Sequence, residues 1–173
     1  MSLNHMSEPS VEYRLEQPYV AIPIQATLKD WHKTSALMPE LFDWLQKKGL
    51  TPVGAPFYRY WCMGDEDEEY SLEVGVPLEK MVIGDERVIA SSIPEGSYVK
   101  TIHKGHPDHL ENTVSELETW ADKEGLEFDK RWEEDMEIWN GRFEQYLKDP
   151  DEEPDLFKWE IEISFLLLRD EAA

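Results

Sequence analysis

Two stretches of this chain carry the same side chains in the same order, which limits the fold to two copies of one unit. Leu41, Trp44, Gly49 and Leu50 recur as Leu117, Trp120, Gly125 and Leu126 at a constant offset of 76. Phe57 and Tyr60 recur as Phe143 and Tyr146 at an offset of 86, and Glu73 recurs as Glu160 at 87. The change of offset places a ten-residue insertion between Leu126 and Phe143.

Each copy reads as strand, helix, strand, strand. In the first, Val11–Leu15 and Tyr19–Ile24 are β-rich runs. Met38, Leu41, Phe42 and Leu45 then recur at helical spacing, with Pro39 in a first turn and Gly49 as the stop, so a helix is predicted over about 35–48. Phe57–Trp61 is an aromatic strand, and the acidic run from Asp65 to Glu69 is a turn leading to Leu72–Leu78. In the second copy, Arg87–Ala90 and Tyr98–His103 are strands. Asp108 with Glu111 has capping-box spacing, and Leu110, Val114, Leu117 and Ala121 form a helical stripe ended by Gly125.

The last strand, Trp159–Phe165, alternates strictly, so one face packs and the other carries Glu160, Glu162 and Ser164. Leu72–Leu78 has the same parity and puts Glu73 on the face opposite Leu72, Val74 and Val76. A carboxylate in mid-strand is costly if enclosed without a partner, so that face is either wet or awaits a cation. In the insertion, Phe128, Trp132, Met136 and Trp139 stand at helical spacing. This predicts an extra helical turn or two, either as core packing or as a lid over a cleft.

Net charge is −21, from 17 Lys and Arg against 38 Asp and Glu, which repels phosphates and excludes direct nucleic-acid binding. Cys62 stands alone, so no internal disulfide forms, and a cytoplasmic location is expected. No apolar run reaches the roughly 20 residues that span a bilayer, so no membrane association is expected. Met1–Leu3 reads as an expression leader with Met6 as the native start, and residues 1–10 as a mobile tail.

The runs His103-Lys104-Gly105-His106-Pro107-Asp108-His109-Leu110 and Phe143-Glu144-Gln145-Tyr146-Leu147-Lys148-Asp149-Pro150, with the closing Glu160 strand, resemble the gyrase-inhibitor-like (GyrI-like) effector-binding domain of AraC- and MerR-class multidrug-responsive regulators. Gly54–Tyr60 and Glu73–Pro77 carry the same resemblance in the first copy. It implies an α+β fold over residues 11–168, with repeats at about 11–83 and 86–168 and the insertion at about 127–142. The two strand-helix-strand-strand units would be related by a pseudo-twofold axis, with helices on the outer face of a curved antiparallel sheet and a ligand cleft between the repeats. It further implies binding of lipophilic cations around an acid, matched here by Glu160, and paired tyrosines, matched by Tyr60 and Tyr146. Trp61, Trp132, Trp139, Glu73 and Glu162 complete the expected site. Pro107 stands where the family commonly has an aromatic, and Ser164 where it has Pro.

The duplicated fold consumes the chain, leaving no helix-turn-helix, so regulation would act through a protein partner. A homodimer is left open. Two other functions stay in view: hydrolysis of strained electrophiles by Glu160 with Tyr146, as in stand-alone members of the resembled family, and inhibition of DNA gyrase by protein contact. No cofactor is expected. No metal is expected either, because His103 falls in a strand while His106 and His109 flank a helix start.

Overall fold

Alternating β-branched and aromatic runs become strands, and all of them join one antiparallel sheet. The structure is a computed structural model that describes residues 5–64, 68–148 and 152–168. In chain order its elements are β1 (Ser10–Arg14), β2 (Gln17–Ala26), α1 (Trp31–Ser35), α2 (Leu37–Lys48), β3 (Phe57–Met63), β4 (Tyr70–Pro77), β5 (Ile89–Ile93) and β6 (Gly96–Lys104). Then follow α3 (Leu110–Lys123), β7 (Lys130–Glu133), β8 (Met136–Trp139), β9 (Arg142–Tyr146) and β10 (Glu160–Leu166). The strand order is β1-β6-β10-β9-β3-β4-β2-β5, with β7 and β8 branching from the end of β3.

The sheet curls into a half-barrel with two principal helices outside, the α+β architecture expected from the sequence. Its inner face is filled by Tyr19, Ala21, Phe57, Tyr98, Phe143 and Leu166. Outside, Leu37, Leu41 and Leu45 of α2 pack on Val20, Ile22, Leu72, Val74 and Val76. Leu117 of α3 packs with Val99, Ile163, Phe165 and Trp139. The two helices therefore build two separate outer cores, one over β2 and β4 and the other over β6 and β10.

Glycine stops explain where α2 ends: Gly49 takes φ 69°, a left-handed conformation that L side chains avoid. The buried stripe of α2 is rotated from the expected one, because Leu37 is buried while Phe42 is exposed. At α3 the expected capping box does not form. The ring of His106 instead accepts from the Asp108 backbone N–H at the preceding 3-10 turn.

Two expectations fail for physical reasons. Lys130–Trp139 is a β-hairpin rather than helical turns, with Trp132 opposite Glu137 and Glu134 at φ 56° in the two-residue turn. Helical spacing of four apolar residues misled here, because the Glu133-Glu134-Asp135 run reverses the chain between them. Nor do residues 5–10 form a loose tail. Met6 is buried beside His103, and the Ser7 N–H donates to the Ile102 carbonyl at 2.9 Å. Residues 65–67 of the acidic turn lie outside the described residues. No helix among the described residues is long and apolar enough to cross a membrane.

Candidate functional site

The join between the two halves is the β3–β9 pair, in register Phe57↔Gln145, Tyr58↔Glu144 and Arg59↔Phe143. Tyr58 and Glu144 are counterparts under the 86-residue offset and also direct partners across the join, so the centre of the arrangement runs through this pair. The strands continue outward as β4, β2, β5 on one side and β10, β6, β1 on the other.

Directly paired residues share a sheet face. Tyr58, Tyr60, Arg142, Glu144 and Tyr146 therefore lie on the helix-bearing face, together with Ile161 and Ile163. Tyr58 belongs to the core under α2, and Ile163 to the core under α3. The main contacts of α2 are with β2 and β4, and those of α3 with β6. Glu144 thus sits at the seam, between the core under α2 and the core under α3.

Its carboxylate accepts from the Tyr60 hydroxyl at 2.9 Å and, more weakly, from the Tyr146 hydroxyl at 3.5 Å. The Tyr146 ring meets Tyr58 edge-on at 5.2 Å and Trp159 at 6.2 Å. Among the described residues no lysine, arginine or histidine forms an ion pair with Glu144. Burial pushes the Glu144 carboxyl above its ordinary value, against the opposing pull of the Arg142 charge and the two tyrosine hydrogen bonds. Burial and the Glu144 charge in turn raise Tyr58 to about 12 and hold Tyr60 and Tyr146 well above the usual phenol range. The tyrosines are neutral donors at physiological pH, and the acid is desolvated.

Tyr60 and Tyr146 both reach Glu144, but the expected acids do not join them. Glu160 lies next to Ile161, the register partner of Tyr146, and so faces away from that tyrosine. Its carboxylate is half-exposed and 3.5 Å from Lys148, and the Glu160–Tyr146 pair lacks the geometry for shared chemistry. Glu162 shares the face of Glu160 and is held by Arg14 at 3.1 Å and Lys100 at 3.9 Å.

Glu73 is buried in the half-barrel, accepting from the Tyr19 hydroxyl and from Trp61 Nε1 at 2.6 Å. Arg59 completes that network, stacked 3.8 Å from the Trp61 ring centre and donating to Tyr19 at 2.8 Å. Register also revises the pairing of the acids. Arg59 pairs with Glu73 and its counterpart Gln145 pairs with Glu162, so Glu162 rather than Glu160 occupies the position equivalent to Glu73. Trp139 is fully buried under α3, and Trp132 stands exposed on the hairpin.

Glu144 is the residue that sequence reasoning missed. The available signal was the motif Phe143-Glu144-Gln145-Tyr146 itself, whose parity puts Glu144 beside Tyr146. The three histidines do not converge on a metal: His103 is buried, with Nδ1 2.6 Å from the Thr113 hydroxyl and Nε2 3.0 Å from the His106 carbonyl. Two hollows of about 470 and about 410 Å³ flank α3. They are open, and neither contains Glu144 or an expected site residue; the unpaired acid, rather than volume, marks the candidate site.

Residues 7–165 match the family described as the GyrI-like small molecule binding domain. No curated protein matches the chain. Among solved structures, the EcmrR C-terminal domain is similar with a TM-score of 0.77 and 20% identity, covering 94% of this chain and 98% of that one. Against EcmrR in its DNA complex the chain spans 58% of that chain's length. A hydrolase from Listeria innocua matches with a TM-score of 0.62 and 16% identity, over 93% of this chain and 92% of that one. SAV2435 bound to tetraphenylphosphonium matches with a TM-score of 0.58 and 10% identity, over 94% of each chain. At these identities the likeness is one of fold.

Proposed function

Because the chain belongs to the GyrI-like small-molecule-binding domain family, we propose that it binds lipophilic cations in a groove floored by Glu144, Tyr58, Tyr60 and Tyr146. The observation that carries this reading is the Glu144 carboxylate, desolvated at the seam and, among the described residues, bonded only to neutral tyrosine hydroxyls. An acid in that position is raised in energy until a cation arrives, and aromatic faces add about 0.5–2 kcal/mol per good cation contact. A mostly apolar, aromatic groove discriminates weakly by shape, which suits capture of varied amphiphiles. The tetraphenylphosphonium carried by SAV2435 is a molecule of this kind. Isothermal titration with tetraphenylphosphonium and with neutral triphenylphosphine oxide tests the reading: the cation is expected to bind and the neutral compound to bind far more weakly. Equal binding of both would remove the role of the acid.

A second reading draws on the same group. A carboxylate with raised basicity beside two tyrosine donors is the minimum for opening a strained electrophile, with Glu144 activating water and Tyr60 or Tyr146 protonating the departing oxygen. Turnover of an epoxide that is lost in Glu144→Gln supports it; absence of turnover leaves the binding reading alone.

A further inference from the structure

Arg142 has no part in the cation site described above, yet it is the less ordinary group on the same strand face. It is 7% exposed, and its guanidinium carbon lies 4.7 Å from the Phe165 ring centre, 4.8 Å from Trp139 and 5.9 Å from Tyr60. Aromatic faces hold a cation but leave the in-plane N–H donors of a guanidinium unmatched. Among the described residues no hydrogen bond or ion pair takes up those donors, and Nε is sealed from solvent without an acceptor.

A second, independent donor has the same defect. The Trp139 indole is fully buried and its Nε1 also lacks an acceptor. Buried donors are nearly always paired, and each one left unmade costs about 1–3 kcal/mol. Two donors on stacked partners therefore lack an acceptor among the described residues. Arg142 and Glu144 stand two residues apart on β9, so their Cα atoms are roughly 7 Å apart on one face.

We infer that Arg142 and Trp139 Nε1 form an acceptor subsite at the α3 side of the groove, and that the ligand carries a carboxylate beside its cationic centre. The inference rests on the cation reading of Glu144 and deepens it: the ligand class is a zwitterionic aromatic amphiphile. A planar guanidinium fork matches a carboxylate better than it matches a spherical ion. The net charge of −21 points the same way, since it repels a free anion but admits one carried by a molecule that also bears a positive charge.

Fluorescence polarisation with rhodamine B, which bears a free carboxylate, and its ethyl ester, which does not, tests this at neutral pH. The wild-type protein is expected to bind rhodamine B at least about tenfold more tightly. Arg142→Met should abolish that preference, and Trp139→Phe, which keeps a ring and removes the N–H, should reduce it about threefold while leaving the ester unaffected. Equal binding of both dyes by the wild-type protein overturns the inference, as does equal weakening of both dyes in either variant. The wild-type comparison stands even if a variant does not fold. Tetraphenylphosphonium titrated in parallel separates the two readings: if it binds while the dyes show no carboxylate preference, only the acceptor subsite is refuted. If neither it nor the dyes bind, the Glu144 site itself is refuted and the subsite with it.

Discussion

Replacing Glu144 by Gln keeps the shape of the groove floor and removes its charge, and it has two opposite consequences. In a tetraphenylphosphonium complex the phenyl rings keep the cationic centre roughly 6 Å from the carboxylate, where a charge pair at an effective dielectric near 20 is worth about 2.8 kcal/mol. Arg142 on the same face opposes part of this, so a loss of about 2 kcal/mol, near thirtyfold in Kd, is expected. The neutral phosphine oxide should hardly change. Without ligand the variant should be more stable than the wild-type protein at pH 7. The Glu144 carboxyl is raised in the folded state by burial, so folding favours its protonated form. Stability therefore falls as pH rises from the ordinary carboxylate value through the raised one, and the full penalty is present above it. Isothermal titration and thermal melts across pH measure both effects. Lost affinity for cation and neutral compound alike, or a variant less stable than the wild-type protein at pH 7, would refute the reasoning.

Tyr60→Phe removes the 2.9 Å hydrogen bond that favours the ionised Glu144. Cation affinity, full when the acid is ionised and lost as pH falls through its titration, should therefore fail at a higher pH than in the wild-type protein, as read by titration over a pH series. In the hairpin, Trp139→Ala should cost about 3–5 kcal/mol in urea unfolding, because the ring is fully enclosed. Trp132→Ala, on an exposed side chain, should stay within about 0.5 kcal/mol. The α3 core gives a further check: Leu117→Ala should destabilise by about 2–5 kcal/mol without altering the pH dependence of cation binding.

Parity and punctuation made most of the frame readable. The alternation of Ile161, Ile163 and Phe165 against Glu160 and Glu162 matches the two faces of β10, and Gly49 and Gly125 stand where α2 and α3 end. What parity could not supply was which face holds the groove. It showed that Glu160 turns away from the packed face, but Glu144 and the tyrosines of the proposed site lie on that packed face, at the β3–β9 join. The register of the second acid was hidden as well. The pairing shifts between Tyr60 and Cys62 at an irregularity in β3, and β8 takes up the edge beyond it. The run from Tyr146 to its partner Ile161 is also three residues longer than that from Tyr60 to Leu72, so an offset of 87 names Glu160 where pairing gives Glu162. The hairpin escaped because four apolar side chains at spacings of three and four fit a helix as well as two short strands, and only the Glu134 turn decides between them.

An acidic chain hides a functional carboxylate among many solvated ones, so the useful question is which acid lacks a counter-charge rather than which acid lies in a strand. Glu160 has Lys148, Glu162 has Arg14 and Lys100, and Glu73 has donors from Tyr19 and Trp61 with Arg59 stacked alongside. Each is already satisfied within the fold, and a ligand cation would have to displace a partner to reach it. Among the described residues Glu144 has only tyrosine hydroxyls. Two strand positions away, Arg142 is its complement, a buried cation with aromatic neighbours and, among the described residues, no acceptor. Opposite charges side by side on one face that do not neutralise each other keep both available to a third party. A ligand that meets both charges at once gains two interactions for one ordering cost, and a fold that had paired them internally would gain stability and lose the site.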